Sequence, residues 1–319
     1  MNRKSMIAMI ICFAFVSTTV GVIATHTTPI TWNGTGTATV SNAGPSITGT
    51  AINDGITWVS YLDVDTEYDF YVNVSDANTL DDISRITLEM WVTGNEAADN
   101  PTYRYKFQYQ ETLTGDGIIA GAWTQILPTI GAYLNNAACT TPAVPSANSG
   151  SYVFAPTMFL TAKAGTWNYN ATVTDGSAIK VTALSKTFSV YKYLEMTYDA
   201  GGGSQNFAWA AAIGTLNVAD TFDVTVTSNT GYSLSAAYEN RFYNVSTGEQ
   251  WANEPSIEVK YGGASMVTLT NATSSYAQWT SFGSPVLAQT TTHTMYLDFE
   301  SVLPSLVYTG VTIYIRASV

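Results

Sequence analysis

A chain of 319 residues with 46% apolar and only 11% charged residues is long enough for two cores of ordinary size. Its 24 acidic residues outnumber 12 basic ones, a formal net charge of −12, so no basic patch is available to neutralise phosphates and nucleic-acid binding is excluded. An aromatic content of 13% is too high for a disordered chain, and Thr, Asn, Ser and Gly are too frequent for a protein with many membrane spans.

The N-terminus has the form of an export signal. Arg3 and Lys4 precede an apolar run, Ser5 to Ala24, and Val22-Ile23-Ala24 offers small residues for cleavage before Thr25. Residues 1–24 are therefore expected to be a signal peptide. The rival reading is an uncleaved anchor helix, because Met6 to Ala24 is about long enough to span a bilayer. Either way the expected location is extracellular or at the cell surface, with membrane contact only through this segment. Cys12 lies inside the apolar run, which leaves Cys139 as the single cysteine of a mature chain. No intrachain disulfide is then possible, and Cys139 is either a buried thiol or an intermolecular bridge.

Residues 25–45, from Thr25 to Pro45, are Thr-, Gly- and Asn-rich and almost uncharged. They read as an extended leader, or as a strand donated to the open sheet edge of a neighbouring subunit. A first domain is expected over 46–198. Thr57 to Val64 precedes a clear strand in which Tyr68, Phe70, Val72 and Val74 share one face and Asp69, Tyr71 and Asn73 the other. Arg85 to Val92 alternates with Ile86, Leu88, Met90 and Val92 inward. Thr102 to Glu111 does the same with Tyr103, Tyr105, Phe107 and Tyr109. Thr114 to Gly150 reads as an excursion with a short helix near Trp123 to Leu127. Strands resume at Tyr152 to Leu160, Trp167 to Val173 and Lys186 to Tyr191.

Asp199-Ala200-Gly201-Gly202-Gly203-Ser204 is the expected linker (199–204), since three glycines weaken any regular structure. A second domain over 205–319 repeats the pattern, with Phe222, Val224 and Val226 opposite Asp223, Thr225 and Thr227. Further strands are expected at Tyr232 to Tyr238, Ser256 to Tyr261, Ser265 to Leu269, Tyr276 to Phe282, His293 to Phe299 and Val311 to Val319. The last strand runs to the terminus, so attachment is expected through the N-terminus, a partner or self-assembly. Many short strands divided by turn signals predict an all-β fold of antiparallel β-sandwiches.

Three stretches resemble tandem immunoglobulin-like domains of archaeal and bacterial secreted cell-surface proteins: Val40 to Ile47, Val72 to Asn78, and Gly165 to Asp175 with its Trp167-Asn168-Tyr169 core. Tyr308 to Ile313 is similar to the closing strand of such sandwiches. The resemblance implies two immunoglobulin-like sandwiches in tandem and a surface location, and it carries no activity. It also implies that the loops Asp76 to Asp82 and Asp175 to Ser177 leave the same end of one sandwich, where Asp76, Asn78, Asp81, Asp82 and Asp175 converge.

Such a set of hard oxygen donors suits calcium, which tolerates irregular geometry. The competing reading is that these Asp and Asn side chains shape turns by bonding their own backbone. Asn33, Asn73, Asn170, Asn244 and Asn271 each open an Asn-x-Ser/Thr glycosylation sequon. Trp167 and Tyr169 are expected in the core, while exposed aromatics elsewhere would offer a sugar platform. No nucleophile elbow, phosphate loop or zinc-binding His pair is present, and His26 and His293 lie far apart, so no enzyme is expected. The expected function is a structural subunit of the cell surface (layer, sheath or filament) that associates with itself or with other surface proteins through sandwich edges. The alternative is an extracellular adhesion or glycan- or protein-binding module.

Overall fold

The computed structural model describes residues 43–319 apart from 184, 201–205, 208, 210–217, 251–255, 273 and 299–307. The signal or anchor segment and almost all of the leader, with Asn33 and His26, lie outside the described residues. Among the described residues no helix is long and apolar enough to cross a membrane, and regular structure is strand except for one 3₁₀ turn at Leu80–Asp82.

Ten strands build the first half: β1 (Ser46–Asn53), β2 (Tyr61–Leu62), β3 (Asp69–Ser75), β4 (Ile83–Trp91), β5 (Arg104–Glu111), β6 (Gly121–Leu127), β7 (Ser149–Phe154), β8 (Gly165–Asp175), β9 (Lys180–Thr182) and β10 (Lys186–Val190). One sheet has the order β1-β3-β7; the other runs β2-β10-β8-β4-β5-β6, with β9 added beside β8. All pairs are antiparallel except β2 with β10.

Period-2 alternation drives the two sheets together. Phe70, Val72 and Val74 of β3 face Ile86, Leu88 and Met90 of β4 and Tyr105, Phe107 and Tyr109 of β5 in one buried cluster. Trp167 and Tyr169 are in this cluster, as expected; Phe70 meets Tyr169 edge-on with ring centroids 5.8 Å apart. Each such side chain contributes roughly 1.5–3 kcal/mol through burial, which is what holds sheets dressed mainly with Thr, Ser and Asn on their outer faces.

The second half holds β11 (Leu194–Ala200), β12 (Val218–Ser228), β13 (Tyr232–Glu239), β14 (Tyr243–Asn244), β15 (Ser256–Lys260), β16 (Val267–Thr268), β17 (Ala277–Phe282), β18 (Val286–Asp298), β19 (Tyr308–Thr309) and β20 (Thr312–Ser318). Sheets β11-β12-β18-β15-β16 and β17-β13-β20 enclose a second cluster. Phe222, Val224 and Val226 lie inward from β12, and Ile313, Ile315 and Ala317 pack onto the cluster from β20. A small β14–β19 ladder completes the half.

Several expectations need correction. Trp123 to Leu127 forms no helix. It is β6, an edge strand registered on β5 with Trp123 opposite Tyr109, because Trp123 finds ring partners at Tyr109 (4.9 Å) and Phe154 (4.9 Å) only in extended form. The strand expected to reach Leu160 stops at Phe154, just before Pro156, which lacks the N–H a ladder requires. The strand placed at His293 to Phe299 begins much earlier, at Val286. Residues 194–200, assigned from sequence to the end of the first domain and the start of the linker, pair with β12 of the second cluster, from Leu194 opposite Ser228 to Ala200 opposite Phe222. Contacts nonetheless group residues 42–319 as one compact unit.

Candidate metal centre

The end of β3, the turn leading into β4 and the end of β8 meet at one rim of the first pair of sheets. β4 lies beside β8, with Ile83 opposite Asp175, so the loop that enters β4 and the loop that leaves β8 are neighbours by register. Each loop is built from its own polar side chains. Asp76 leaves β3 with its backbone N–H donating to the carbonyl of Asn148 (2.9 Å), and the Asn148 carboxamide donates back to the Asp76 carbonyl (2.9 Å). Asp76 Oδ1 accepts the backbone N–H of Asn78 at 2.7 Å, an Asx turn. Thr79 then adopts φ 99°, a left-handed conformation unusual for a β-branched residue, and Leu80–Asp82 follow as the 3₁₀ turn.

Asp175 ends β8. Its Oδ1 accepts the N–H of Ile179 at 2.7 Å, and its carbonyl accepts the hydroxyl of Ser84 at 2.8 Å. The next residue, Gly176, donates its N–H to the carbonyl of Asp82 at 2.7 Å, which ties the two loops directly. Any larger residue there would push on two side chains. A Cβ at position 176 would lie 2.7 Å from Asp82 Oδ1 and 2.8 Å from the hydroxyl oxygen of Thr114.

The result is that Asp76, Asp82 and Asp175 each present a carboxylate oxygen, all within 4.8 Å of one another. Asp76 and Asp175 are both 1% exposed, and Asp82 is half-buried. Asp76 Oδ2 is buried and accepts no hydrogen bond. Burial pushes the Asp76 carboxyl above the usual carboxylate range. The Asn78 N–H pulls it down, and the charges of Asp82 and Asp175 push it up again.

The other two residues expected here fall differently. Asn78 is exposed and its Nδ2 donates to Asp82 Oδ2 at a long 3.4 Å, so it stands at the mouth of the cluster. Asp81 turns away: its carboxylate accepts the Thr79 hydroxyl and the Gly117 N–H (3.0 Å), and its carbonyl accepts the Gly115 N–H (2.9 Å). Asp81 is thus a turn-former that binds the Thr112–Ala120 loop. That loop brings Thr114 to the cluster, a neighbour that sequence reading did not include.

The sequon asparagines are scattered. Asn73 is half-buried and accepts the Ser151 hydroxyl at 2.6 Å; Asn170 is half-buried in the middle of β8. Asn244 is 3% exposed, with Oδ1 accepting the N–H of Ser246 at 2.8 Å, so a glycan there requires that turn to open. Asn271 is exposed. Cys139 is a free, buried thiol that accepts the Ala155 N–H at 3.4 Å. Trp58 (64% exposed), Tyr61 (55%) and Tyr191 (51%) lie at the surface, the last two stacked at 5.3 Å.

No protein-family model matches the chain, and no curated protein matches it. Among solved structures, the chain is similar to one described as a chaperone–tip adhesin complex vital for activation of CFA/I fimbriae biogenesis, at 11% identity and TM-score 0.31, over 85% of this chain and 84% of that one. It is also similar to the CsuC–CsuE chaperone–tip adhesion subunit complex of Acinetobacter baumannii Csu pili, at 11% identity and TM-score 0.25, over 81% and 97%. A third is the C-terminal domain of the Streptococcus agalactiae antigen I/II polypeptide BspA, at 8% identity and TM-score 0.24, over 84% and 95%. All three likenesses are remote.

Proposed function

We propose that this chain is a structural subunit of the cell surface, a layer, sheath or filament component, that assembles through the edges of its β-sheets. In this reading its two clusters are the cores of immunoglobulin-like sandwiches in tandem, exported by the N-terminal signal and held together outside the cell.

The observation that carries the reading is the edge strand β6. Among the described residues it pairs on one side only, with β5, and its sequence Gly-Ala-Trp-Thr-Gln-Ile-Leu contains no charge and no proline. Proteins that remain monomeric blunt such edges with lysine, proline or a covering loop. Here the 128–136 segment caps only part of the edge, with Asn136 donating to the Trp123 carbonyl at 3.1 Å, and the surroundings are apolar: Ile126 is 37% exposed, Leu113 64%, Ile118 57% and Ile130 63%. The uncharged leader at 25–45 has the composition to add as the missing strand of a neighbour, the mode of recognition in which backbone bonds supply affinity.

Electron microscopy of the purified exported protein tests this. Ordered assemblies are expected, lost on deletion of residues 25–45 and lost in Ile126→Lys, with both variants keeping the native circular dichroism spectrum. Monodisperse wild-type monomers under every condition tried would sink the reading. A second reading, a glycan-binding module, draws on the exposed Trp58, Tyr61 and Tyr191. It predicts saturable binding on a glycan array that Tyr61→Ala removes from a protein that stays monomeric.

A further inference from the structure

Among the described residues, the three carboxylates at the rim of the first sheet pair form a polar cluster whose geometry asks for something from outside the chain. We propose that Asp76, Asp82 and Asp175 bind a calcium ion that clamps the loop entering β4 to the loop leaving β8.

Two independent observations converge on it. The first is the spacing. Oxygens bound to one calcium ion at about 2.3–2.6 Å can stand at most about 5 Å apart. The three carboxylate oxygens, all within 4.8 Å of one another, meet that condition together. Magnesium, with bonds of about 2.0–2.1 Å and a demand for near-ideal octahedral order, fits loops tied down by their own backbone bonds less readily than calcium, which tolerates irregular geometry.

The second observation is Asp76 itself. Its Oδ1 is engaged by the Asn78 N–H, whereas Oδ2 is buried and without a hydrogen-bond partner. An ionised oxygen in that state is strongly disfavoured unless a cation or donor meets it. The carboxylates nearest to it, Asp82 and Asp175, raise that cost. Turn formation explains Oδ1 and leaves Oδ2 unexplained; a cation explains both.

The chain also offers further oxygen ligands. Asn78 lies at the mouth with its carboxamide 3.4 Å from Asp82, and exchanging its oxygen and nitrogen turns a weak donor into a carbonyl ligand. The Thr114 hydroxyl is on the same side, close to Gly176. Water supplies the remaining ligands of a six- to eight-coordinate ion. Because the ion lies within one subunit, the proposal stands whether or not the chain assembles.

The test uses the full exported chain, stripped with EGTA and dialysed. Titration calorimetry with calcium chloride is expected to give saturable one-site binding with Kd of about 10⁻⁴–10⁻³ M or tighter, the range of extracellular calcium modules. Calcium at 10 mM, roughly 10- to 100-fold above that Kd, is expected to raise the Tm by about 3–10 °C over the EGTA form. Magnesium is expected to give at most a tenth of the affinity. Asp76→Asn keeps the acceptor for the Asn78 N–H, and is expected to lose the calcium shift while melting no lower than wild type in EGTA. Asp175→Asn serves as the second variant. A wild-type Tm and calorimetric trace indifferent to calcium overturn the proposal. So does a calcium shift that survives in Asp76→Asn, and an equal response to magnesium overturns the choice of ion.

Discussion

The carboxamide of Asn229 accepts the backbone N–H of Tyr193 at 2.8 Å, and its Nδ2 donates to the carbonyl of Tyr191 at 2.7 Å. Asn229 is fully buried, and its own carbonyl accepts the N–H of Ala164 at 3.0 Å. One side chain from the end of β12 therefore closes the passage between β10 and β11, where the chain leaves the first core for the second. Asn229→Ala leaves the half-buried Tyr193 N–H and the Tyr191 carbonyl without their partner, each bond being worth about 0.5–1.5 kcal/mol. The expected loss is about 1–3 kcal/mol by urea denaturation. Trypsin is also expected to cut faster after the exposed Lys192, while cleavage elsewhere in the two cores is unchanged. Wild-type cleavage at Lys192 in the variant would show that the clamp is not what holds this passage.

A buried histidine makes stability depend on pH. His293 is 1% exposed, receives the Trp279 indole N–H on Nδ1 at 3.1 Å, and lies 2.7 Å from the Thr291 hydroxyl through Nε2. Burial pushes its pKa down from 6.5 to about 4, against a small opposing pull from Asp223. Above pH 6.5 neither the folded nor the unfolded imidazole is charged, so nothing is lost. Between pH 6.5 and about 4 the unfolded state takes up a proton that the folded state refuses, and stability falls. From pH 7 to pH 5 this amounts to about 2 kcal/mol, each pKa unit being worth about 1.4 kcal/mol. His293→Gln is expected to flatten that part of the curve in urea melts at matched pH. An unchanged slope in the variant would assign the loss to the carboxylates.

What could be read from the sequence followed the apolar alternation. Phe70, Val72 and Val74, or Ile86, Leu88 and Met90, report a buried face directly, and both strands lie within about two residues of where they were expected. β18 was half missed because Leu287 to Thr290 is exposed on both faces, so its first half carries no alternation to find. β6 was misread because its inward positions are Trp123, Gln125 and Leu127, a mixed set: the ring partners of Trp123 come from β5 and β7, and Gln125 bonds the following loop at Pro128, Gly131 and Tyr133. At the rim, the meeting of Asp76, Asp82 and Asp175 follows from strand order, which a sandwich resemblance supplies. The departure of Asp81 follows from a bond to Gly117, 36 residues away, which no local pattern encodes.

The sequons separate by exposure. Oligosaccharide transfer needs a reachable carboxamide nitrogen, and Asn271 is exposed while Asn244 is 3% exposed and fixed by the Ser246 and Thr247 amides. In a host that modifies Asn-x-Ser/Thr, glycopeptide mass spectrometry is expected to find Asn271 occupied and Asn244 bare. Occupancy at Asn244 would mean that modification precedes folding of that turn.

Cys139 is the one cysteine among the described residues, so in the proposed assembly it is the described position at which subunits would be joined covalently. It is 9% exposed, its sulfur accepts the Ala155 N–H, and burial lifts its pKa from 9.0 to about 11. A rise of two units lowers the reactive thiolate about 100-fold at any pH below the ordinary thiol range, before access is considered. Iodoacetamide at pH 8 is therefore expected to label the native chain at least ~100-fold more slowly than the chain in guanidinium. Any assembly should run as monomer on non-reducing gels, and Cys139→Ala should assemble as wild type does. A disulfide-linked dimer recovered from native material would require this part of the first core to open, and would move the assembly contact from the β6 edge to the segment around Cys139.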